Sequence, residues 1–299
     1  MFEKNQASRQ GPAIEGWTLE PILPALGERA ATFIRREAKT DEPFLVYMPL
    51  TSPHTPLSVN EQWKGKSGLN LYADLVMETD DIVGQVLKAI EESGVADNTM
   101  VLFTSDNGCA HYIGMDELQK LGHYPSGPLR GSKSDVWEGG HRVPFIVRWP
   151  GVVKPNSESD QLVHQADLIA TLADVMDDSL PEDAGEDSFS LMPLLKGDDR
   201  QIREHAVSTA SSGVPGVRQG PWKYIPARGS GGWGKGGDQS QPIQLYNLET
   251  DLAESKNLAA EMPERVAEMK KLFEKLITQG RSTPGKRQHN DMRVVRFPK

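Results

Sequence analysis

Cysteine is almost absent from this chain: Cys109 is the only one in 299 residues. One thiol cannot build an internal disulfide framework, although it leaves an oxidising compartment open. No apolar run approaches the roughly 20 residues of a membrane-spanning helix. Met1 to Gln10 lack the apolar core of a secretory signal. An excess of positive charge is missing too. With 33 basic against 42 acidic residues the formal charge is −9, which argues against a general nucleic-acid binder. No internal repeat is visible, and nothing in the pattern sets an oligomeric state. What remains is a chain long enough for one large or two modest cored domains.

Its apolar pattern alternates between strand and helix. Residues 44–50, 99–105 and 143–149 read as strands. Helical spacing runs through 19–38, with Leu19, Ile22, Leu23, Leu26, Ala30, Phe33 and Ile34 in phase and a break near Pro24. It returns over 71–93, where Leu71, Leu75, Ile82, Val86 and Ile90 share a face and Gly94 stops the helix. A third helix is predicted over 162–176, with Leu162, Ala166, Ile169, Leu172 and Val175 or Met176 inward. The alternation predicts an α/β sheet with helices on its faces. After Lys196 the composition shifts: 213–237 is glycine-rich, short strands are expected at 216–218, 222–225 and 244–248, and a helix at 263–279. The first 16 residues read as an irregular lead-in. The basic tail, 281–299, reads as a disordered or loosely docked terminus.

Three loops carry candidate chemistry. The strand Met100-Val101-Leu102-Phe103-Thr104 runs into Ser105-Asp106-Asn107-Gly108. A carboxylate beside an amide oxygen at a strand's carboxyl end suits a hard cation such as Ca²⁺ or Mg²⁺. A second strand meets Thr51-Ser52-Pro53-His54-Thr55-Pro56, in which prolines restrain the backbone on both sides of His54. The third loop, 126–144, is dense in Gly, Arg, Lys and His and contains Arg130, Lys133 and Glu138, a composition that can hold an anion. His123 lies ten residues before Lys133 on a loop and is a substrate-pocket candidate by position. His111, His141, His164 and His205 have no comparable context. Trp137 and Trp149 read as packing residues.

Ser52-Pro53-His54-Thr55-Pro56, Thr104-Ser105-Asp106-Asn107-Gly108, Gly127-Pro128-Leu129-Arg130-Gly131-Ser132-Lys133, Trp137-Glu138-Gly139-Gly140 and Val143-Pro144-Phe145 are specific as an ordered set. Together they resemble the sulfatases of the arylsulfatase type, over about Trp17 to Ser282. The resemblance implies an alkaline-phosphatase-like, mainly parallel sheet with flanking helices, then a small C-terminal antiparallel sheet with one helix. The expected divisions are 1–200, 201–280 and the tail 281–299. It also implies a sulfuric ester hydrolase acting on an aryl sulfate or a sulfated glycan. Asp106 and Asn107 would bind Ca²⁺, or Mg²⁺ in its place. His54 would contact the ester and give its proton to the leaving group, and Lys133 would contact the sulfate. Arg130 and Glu138 would orient Lys133 and its loop, or form a structural ion pair. Family members are often periplasmic or secreted, although no signal is present to read here.

One piece of the family pattern is not found. The nucleophile of these enzymes is a formylglycine made from the first residue of Cys/Ser-x-Pro-x-Arg, accompanied by two metal-binding aspartates in an N-terminal part. Cys109 is followed by Ala110-His111-Tyr112-Ile113, which does not fit. Ser126-Gly127-Pro128-Leu129-Arg130 fits by letters but occupies the place of the lysine loop. The expectation is therefore a sulfatase whose nucleophile segment and half of the metal cage are missing, inactive as it stands. Two other readings stay open: a phosphoesterase or phosphonate hydrolase on the same fold, and a non-catalytic sulfate- or glycan-binding fragment.

Overall fold

The computed structural model describes residues 14–235, 240–294 and 296. Most of the lead-in, the end of the glycine run at 236–239, and positions 295 and 297–299 of the tail lie outside them. In chain order the elements are α1 (Ile22–Glu37), α2 (Leu71–Glu92), β1 (Val101–Thr104), α3 (Met115–Lys120), α4 (Glu138–His141), β2 (Phe145–Arg148), α5 (Leu168–Val175), α6 (Met192–Leu195), β3 (His205–Thr209), β4 (Pro215–Gln219), β5 (Trp222–Ile225), β6 (Gln244–Asn247) and α7 (Pro263–Gln279). No helix among the described residues is long and apolar enough to cross a membrane.

The chain divides into two compact units. The first comprises Met1–Val101, His111–Pro125 and Trp149–Gly151. Here α1 packs on α2 through Ala31, Ile34, Ala89 and Ile90, and through Leu23, Leu75 and Ile82. Pro24 does not break α1, because it falls in the first turn, where the N–H has no helical partner. The side chain of Asn70 caps α2 by accepting from the Ala73 N–H at 3.1 Å. Gly94 ends the helix at φ +71°, with the Val95 N–H donating back to the Ile90 carbonyl at 3.4 Å. Leu71, expected on the buried face, is exposed at the helix start.

Residues 44–50 are extended but, among the described residues, pair with no strand. Their side chains alternate: Phe44, Val46, Met48 and Leu50 pack onto the α1–α2 cores, while Leu45 and Tyr47 are 73% and 85% exposed. Side-chain period therefore survives where the ladder that defines a strand does not. Among the described residues, β1 lies beside β2 in a two-stranded sheet.

The second unit comprises Leu102–Ala110, Ser126–Arg148 and Val152–Lys299. Its main element is the antiparallel meander β3-β4-β5-β6, with Val207 opposite Val217, Val217 opposite Tyr224, and Tyr224 opposite Leu245. Strand alternation sends Val217, Tyr224 and Leu245 to one face, where α7 covers them with Met269 and Phe273. Ile225 and Tyr246 pack with Val136 and Trp137 in a separate core. The sheet thus shares a core with the 126–148 loop.

The predicted helix over 162–176 begins only at Leu168. A 3₁₀ turn, Gln165–Asp167, precedes it and is capped reciprocally: His164 Nδ1 accepts from the Ala166 N–H at 3.1 Å, and the Asp167 carboxylate accepts from the His164 N–H at 2.7 Å. Burial of Asp167 against Arg203 fixes the phase, so Thr171 and Ala173 face inward while Ile169 and Met176 are exposed. The start of the tail is held against 182–186. Ser282 and Thr283 donate backbone N–H groups to the Glu186 carbonyl, and Lys286 reaches Glu182 at 2.9 Å.

Candidate active site

Lys133 sits in a tight turn. The Asp135 N–H donates to the Ser132 carbonyl at 3.0 Å, and Ser134 takes φ +82°. Asp135 lies below with a carboxylate 2% exposed, accepting from the Ser132 N–H at 2.9 Å and the Gly234 N–H at 2.8 Å. A buried carboxylate with two backbone donors fixes the turn on both sides of Lys133.

Asp106 and Asn107 leave the end of β1. Gln165 holds that end, its amide donating to Thr104 Oγ1 at 3.1 Å and to the Ser105 carbonyl. Ser105 Oγ donates to the Asn107 carbonyl at 3.0 Å. Two backbone bonds then clasp this segment to the lysine loop: the Gly108 N–H to the Gly140 carbonyl at 2.9 Å, and the Lys133 N–H to the Cys109 carbonyl at 2.8 Å. The structure therefore ties the segment that follows Asn107 to the loop that carries Lys133. Among the described residues, the side chains of Asp106, Asn107 and Lys133 make no hydrogen bond or ion pair with protein.

Gly108 is what permits the approach. A Cβ there would stand 1.8 Å from the Gly139 carbonyl oxygen, a backbone atom that cannot swing aside. Gly108→Ala is expected to cost about 3 kcal/mol or more, by the overpacking scale for a rigid neighbour. Gly84→Ala in α2, with nothing within 4 Å of the new Cβ, is expected to raise stability by about 0.5–1 kcal/mol. Urea unfolding of both variants checks the opposite signs.

Whether these residues fit a Ca²⁺ ion follows from the donor count. A carboxylate and an amide oxygen are the right hard donors, but Ca²⁺ takes six to eight oxygens. No group of three or more His, Cys, Asp or Glu poised for a metal occurs among the described residues. Asp106 and Asn107 fit part of a shell and do not complete one.

Arg130 and Glu138 fasten the loop from beneath. Arg130 donates to the Glu254 carbonyl at 2.7 Å and to Tyr246 Oη at 3.3 Å, and its guanidinium stacks 3.7 Å from the Trp137 ring centroid. Its own carbonyl accepts from the Gly139 N–H at 2.7 Å. Glu138 opens α4 and meets Lys223 Nζ at 2.8 Å and Arg142 at 3.2 Å. Lys223 also meets Glu254 at 3.0 Å, and the Glu254 carboxylate accepts from the Glu138 N–H at 2.6 Å. Burial alone would raise the Glu138 carboxyl, but the Lys223 ammonium, with His141 and Arg218, outweighs it and holds the pKa at about 2. Glu254 is shifted the other way, with burial outweighing the attraction of Lys223.

His141, which had no assigned role, borders this cluster. Burial and then the Lys223 ammonium lower its pKa to about 4, against the opposing pull of Glu138. His164 adds a weaker push in the same direction as Lys223. A histidine depressed on folding leaves more protons on the unfolded chain, so it costs stability as pH falls from about 6.5 to about 4. The expected loss is on the order of 2 kcal/mol, discounted for the 27% of the side chain that water reaches. His141→Gln should flatten the fall in melting temperature across that interval, measured by calorimetry at several pH values.

His54 and His123 belong to the first unit. His54 is exposed, between cis Ser52–Pro53 and Thr55–Pro56 bonds, and its Nδ1 lies 2.6 Å from the Thr55 carbonyl. The loop is tied to α2: Ser52 Oγ lies 2.8 Å from Thr79 Oγ1, and Asn60 donates its backbone N–H to Glu78 at 3.0 Å. His123 is exposed just past α3, its N–H donating to the Leu118 carbonyl at 2.9 Å after Gly122 at φ +82°. A helix cap accounts for its backbone position. The Ser126 hydroxyl oxygen is buried, out of reach of solvent.

Sequence reasoning missed Asp135, Ser134 and the 230–235 segment that encloses the lysine turn. The glycine density there was the available signal, since closely packed backbone is one reason for glycine.

A family model described as Sulfatase matches residues 3–178. The N-acetylgalactosamine-6-O-sulfatase of Bacteroides thetaiotaomicron is 36% identical over 270 residues, 88% of this chain and 52% of that protein. Rattus norvegicus steryl-sulfatase is 40% identical over 179 residues, 59% of this chain and 30% of the relative. The chain thus spans about half the length of the first relative and less than a third of the second. A solved structure from work on glycosaminoglycan metabolism by Bacteroides thetaiotaomicron superposes with TM-score 0.77 at 33% identity, covering 87% of this chain and 55% of that one. The PsFucS1 sulfatase from Pseudoalteromonas sp. gives TM-score 0.73 at 21% identity over 86% of this chain and 52% of its own, a likeness of fold alone. These neighbours carry the alkaline-phosphatase-like fold. Since the family model covers more than half of the residues whose loops have just been described, the chain belongs to the sulfatase family.

Proposed function

We propose that this chain supplies the sulfate-recognition part of a sulfuric ester hydrolase. One observation carries the reading: Lys133, with no side-chain partner among the described residues, sits on a loop clasped by backbone hydrogen bonds to the segment that follows Asp106 and Asn107. Net hydrolysis breaks the S–O bond of R–O–SO₃⁻, adds water, and releases alcohol and sulfate. Negative charge on the sulfuryl oxygens has to be neutralised on the way, and the ammonium of Lys133, carried on a loop whose backbone is held, is suited to that. By family resemblance His54 gives the leaving oxygen its proton. Ca²⁺, or Mg²⁺ in its place, held in part by Asp106 and Asn107, would polarise the same oxygens. No residue of this chain is assigned as nucleophile: Cys109 stands in no Cys-x-Pro-x-Arg motif, and Ser126, which fits by letters, belongs to the lysine loop and has a buried hydroxyl. The relatives named for N-acetylgalactosamine 6-sulfate and steryl sulfate point to a cyclic sulfated alcohol as substrate.

The test joins the chain to a family N-terminal segment bearing Cys-x-Pro-x-Arg and co-expresses the maturation enzyme. Hydrolysis of 4-nitrophenyl sulfate in preference to 4-nitrophenyl phosphate is the expected result, and the reverse preference would overturn the reading. The 299-residue chain by itself is expected to bind Ca²⁺ only weakly in calorimetry. Micromolar affinity that Asp106→Ala removes would show a complete cage in this chain.

A further inference from the structure

The tail folds back along α7. The Gln288 N–H donates to the Gln279 carbonyl at 2.8 Å, and the Asn290 side-chain amide donates to the Ile277 carbonyl at 2.8 Å. Further on, the Arg296 guanidinium meets Glu274 at 2.8 Å. Arg281 ties the bend itself, donating to the Lys286 carbonyl at 3.1 Å. Partners on the helix fall in number as those on the tail rise, so the two segments run antiparallel. A cleft of about 270 Å³ lies between them, and its lining includes Arg287, Arg293, Arg296, Asn290, Met292 and Ile277.

Basic side chains near a helix C-terminus often serve only its free carbonyls. Here other groups fill that role. The Leu276 carbonyl accepts from the Gly280 N–H at 2.9 Å, and tail amides take the Ile277 and Gln279 carbonyls. Arg296 has its carboxylate. Arg287 and Arg293 remain, both exposed, and among the described residues neither makes an ion pair or a side-chain hydrogen bond. Two unpaired guanidiniums on one cleft repel each other, and an anion between them relieves the repulsion. The charge is local: 281–299 carries six basic residues against one acid, Asp291, in a chain of formal charge −9.

A guanidinium fork suits the oxygens of a sulfate or phosphate group. Ile277 and Met292, which is 83% exposed, add an apolar surface for the carbon frame that bears the anion. The volume is at the small end for a ligand pocket, enough for one unit of a polymer rather than a large ligand. We propose that this cleft binds a sulfated polysaccharide, with Arg287 and Arg293 gripping one sulfate group while Ile277 and Met292 bear on the sugar that carries it. The choice of a sulfated sugar rests on the reading of the chain as part of a sulfuric ester hydrolase, whereas the cationic cleft stands without it. Such a site holds a polymer through a unit other than the one hydrolysed, and so raises affinity for long chains.

Fluorescence anisotropy tests it on the 299-residue chain, with a labelled chondroitin 6-sulfate hexasaccharide as probe. The desulfated hexasaccharide, which keeps its carboxylates, and a single-stranded oligonucleotide are the comparison ligands. The Arg287→Ala/Arg293→Ala double variant is expected to bind the sulfated probe at least about tenfold more weakly than the parent, the loss of two charge-assisted contacts. Arg287→Lys/Arg293→Lys should keep part of the affinity, because the charge stays and the fork does not. Both positions are exposed, so urea unfolding should find all variants as stable as the parent. A double Ala variant that binds like the parent would overturn the proposal. So would a parent that does not bind the sulfated probe, or that binds the desulfated one equally well. Tighter binding of the oligonucleotide would replace the glycan with a nucleic acid and overturn it too. Failure of the ester-hydrolase reading shows separately, as a preference of the joined enzyme for 4-nitrophenyl phosphate.

Discussion

Lys133→Ala is expected to lower turnover of 4-nitrophenyl sulfate by on the order of 10²-fold or more when the chain is joined to a matured family N-terminal segment. That is the usual cost of removing one fixed charge from a developing anion. The loss should fall in kcat as well as in kcat/KM, because the charge to be neutralised grows as the S–O bond breaks. Lys133→Arg should restore only part of the rate, since a planar fork does not occupy the place of a point charge. His54→Ala should lower turnover comparably with the aryl ester, and more with an ester of an aliphatic alcohol, whose leaving oxygen depends more on a proton. Cys109→Ala should change little. Steady-state kinetics on the four variants decides the matter. Unchanged turnover in Lys133→Ala would remove the active-site assignment.

Lys223→Met is expected to destabilise the protein by about 3–5 kcal/mol, the range for stranding a buried charge. Lys223 is 1% exposed and serves two carboxylates that are equally covered, Glu138 and Glu254. Without it both would face each other in a dry interior. Adding Glu254→Gln to Lys223→Met should recover a substantial part of the loss, because the amide carries no charge. Arg35→Ala is the surface comparison: its pair with Glu92 is half-exposed on both sides and should be worth less than about 1 kcal/mol. Urea denaturation of the set measures each difference. A Lys223→Met variant as stable as the parent would mean that this cluster does not hold the loop in place.

Much of this arrangement was legible before any coordinates. Gly94 and the apolar phase of 71–93 state α2 and its C-terminal end locally, and Trp222 to Ile225 and Pro263 to Gln279 emerge as read. The three loops with Asp106, His54 and Lys133 were visible because their residue types are unusual at strand ends. What stayed hidden depends on partners distant in sequence. The phase of α5 is set by Asp167 meeting Arg203, 36 residues on, which apolar spacing does not encode. β3, with His205 and Ser208 in a five-residue run, lacks a strong strand signature and forms because β4 offers it a ladder. The role of Asp135 depends on a backbone N–H 99 residues away, which its local sequence does not show. The Phe44 segment shows the converse: its apolar run reads as a strand, but a strand needs a neighbour as well as a pattern.

The cluster beneath the lysine loop also bears on the order of assembly during synthesis. Glu138 leaves the ribosome 85 residues before Lys223 and 116 before Glu254. Until β5 has formed, burying the start of α4 would strand a carboxylate in an apolar setting. The backbone clasp between the loop of Lys133 and the segment after Asn107 must therefore wait for the C-terminal meander, and loops of this length are slow to close. Nascent chains released anywhere between His141 and Glu254 should keep that region open and protease-sensitive, so completion of the second unit acts as a checkpoint on the anion site.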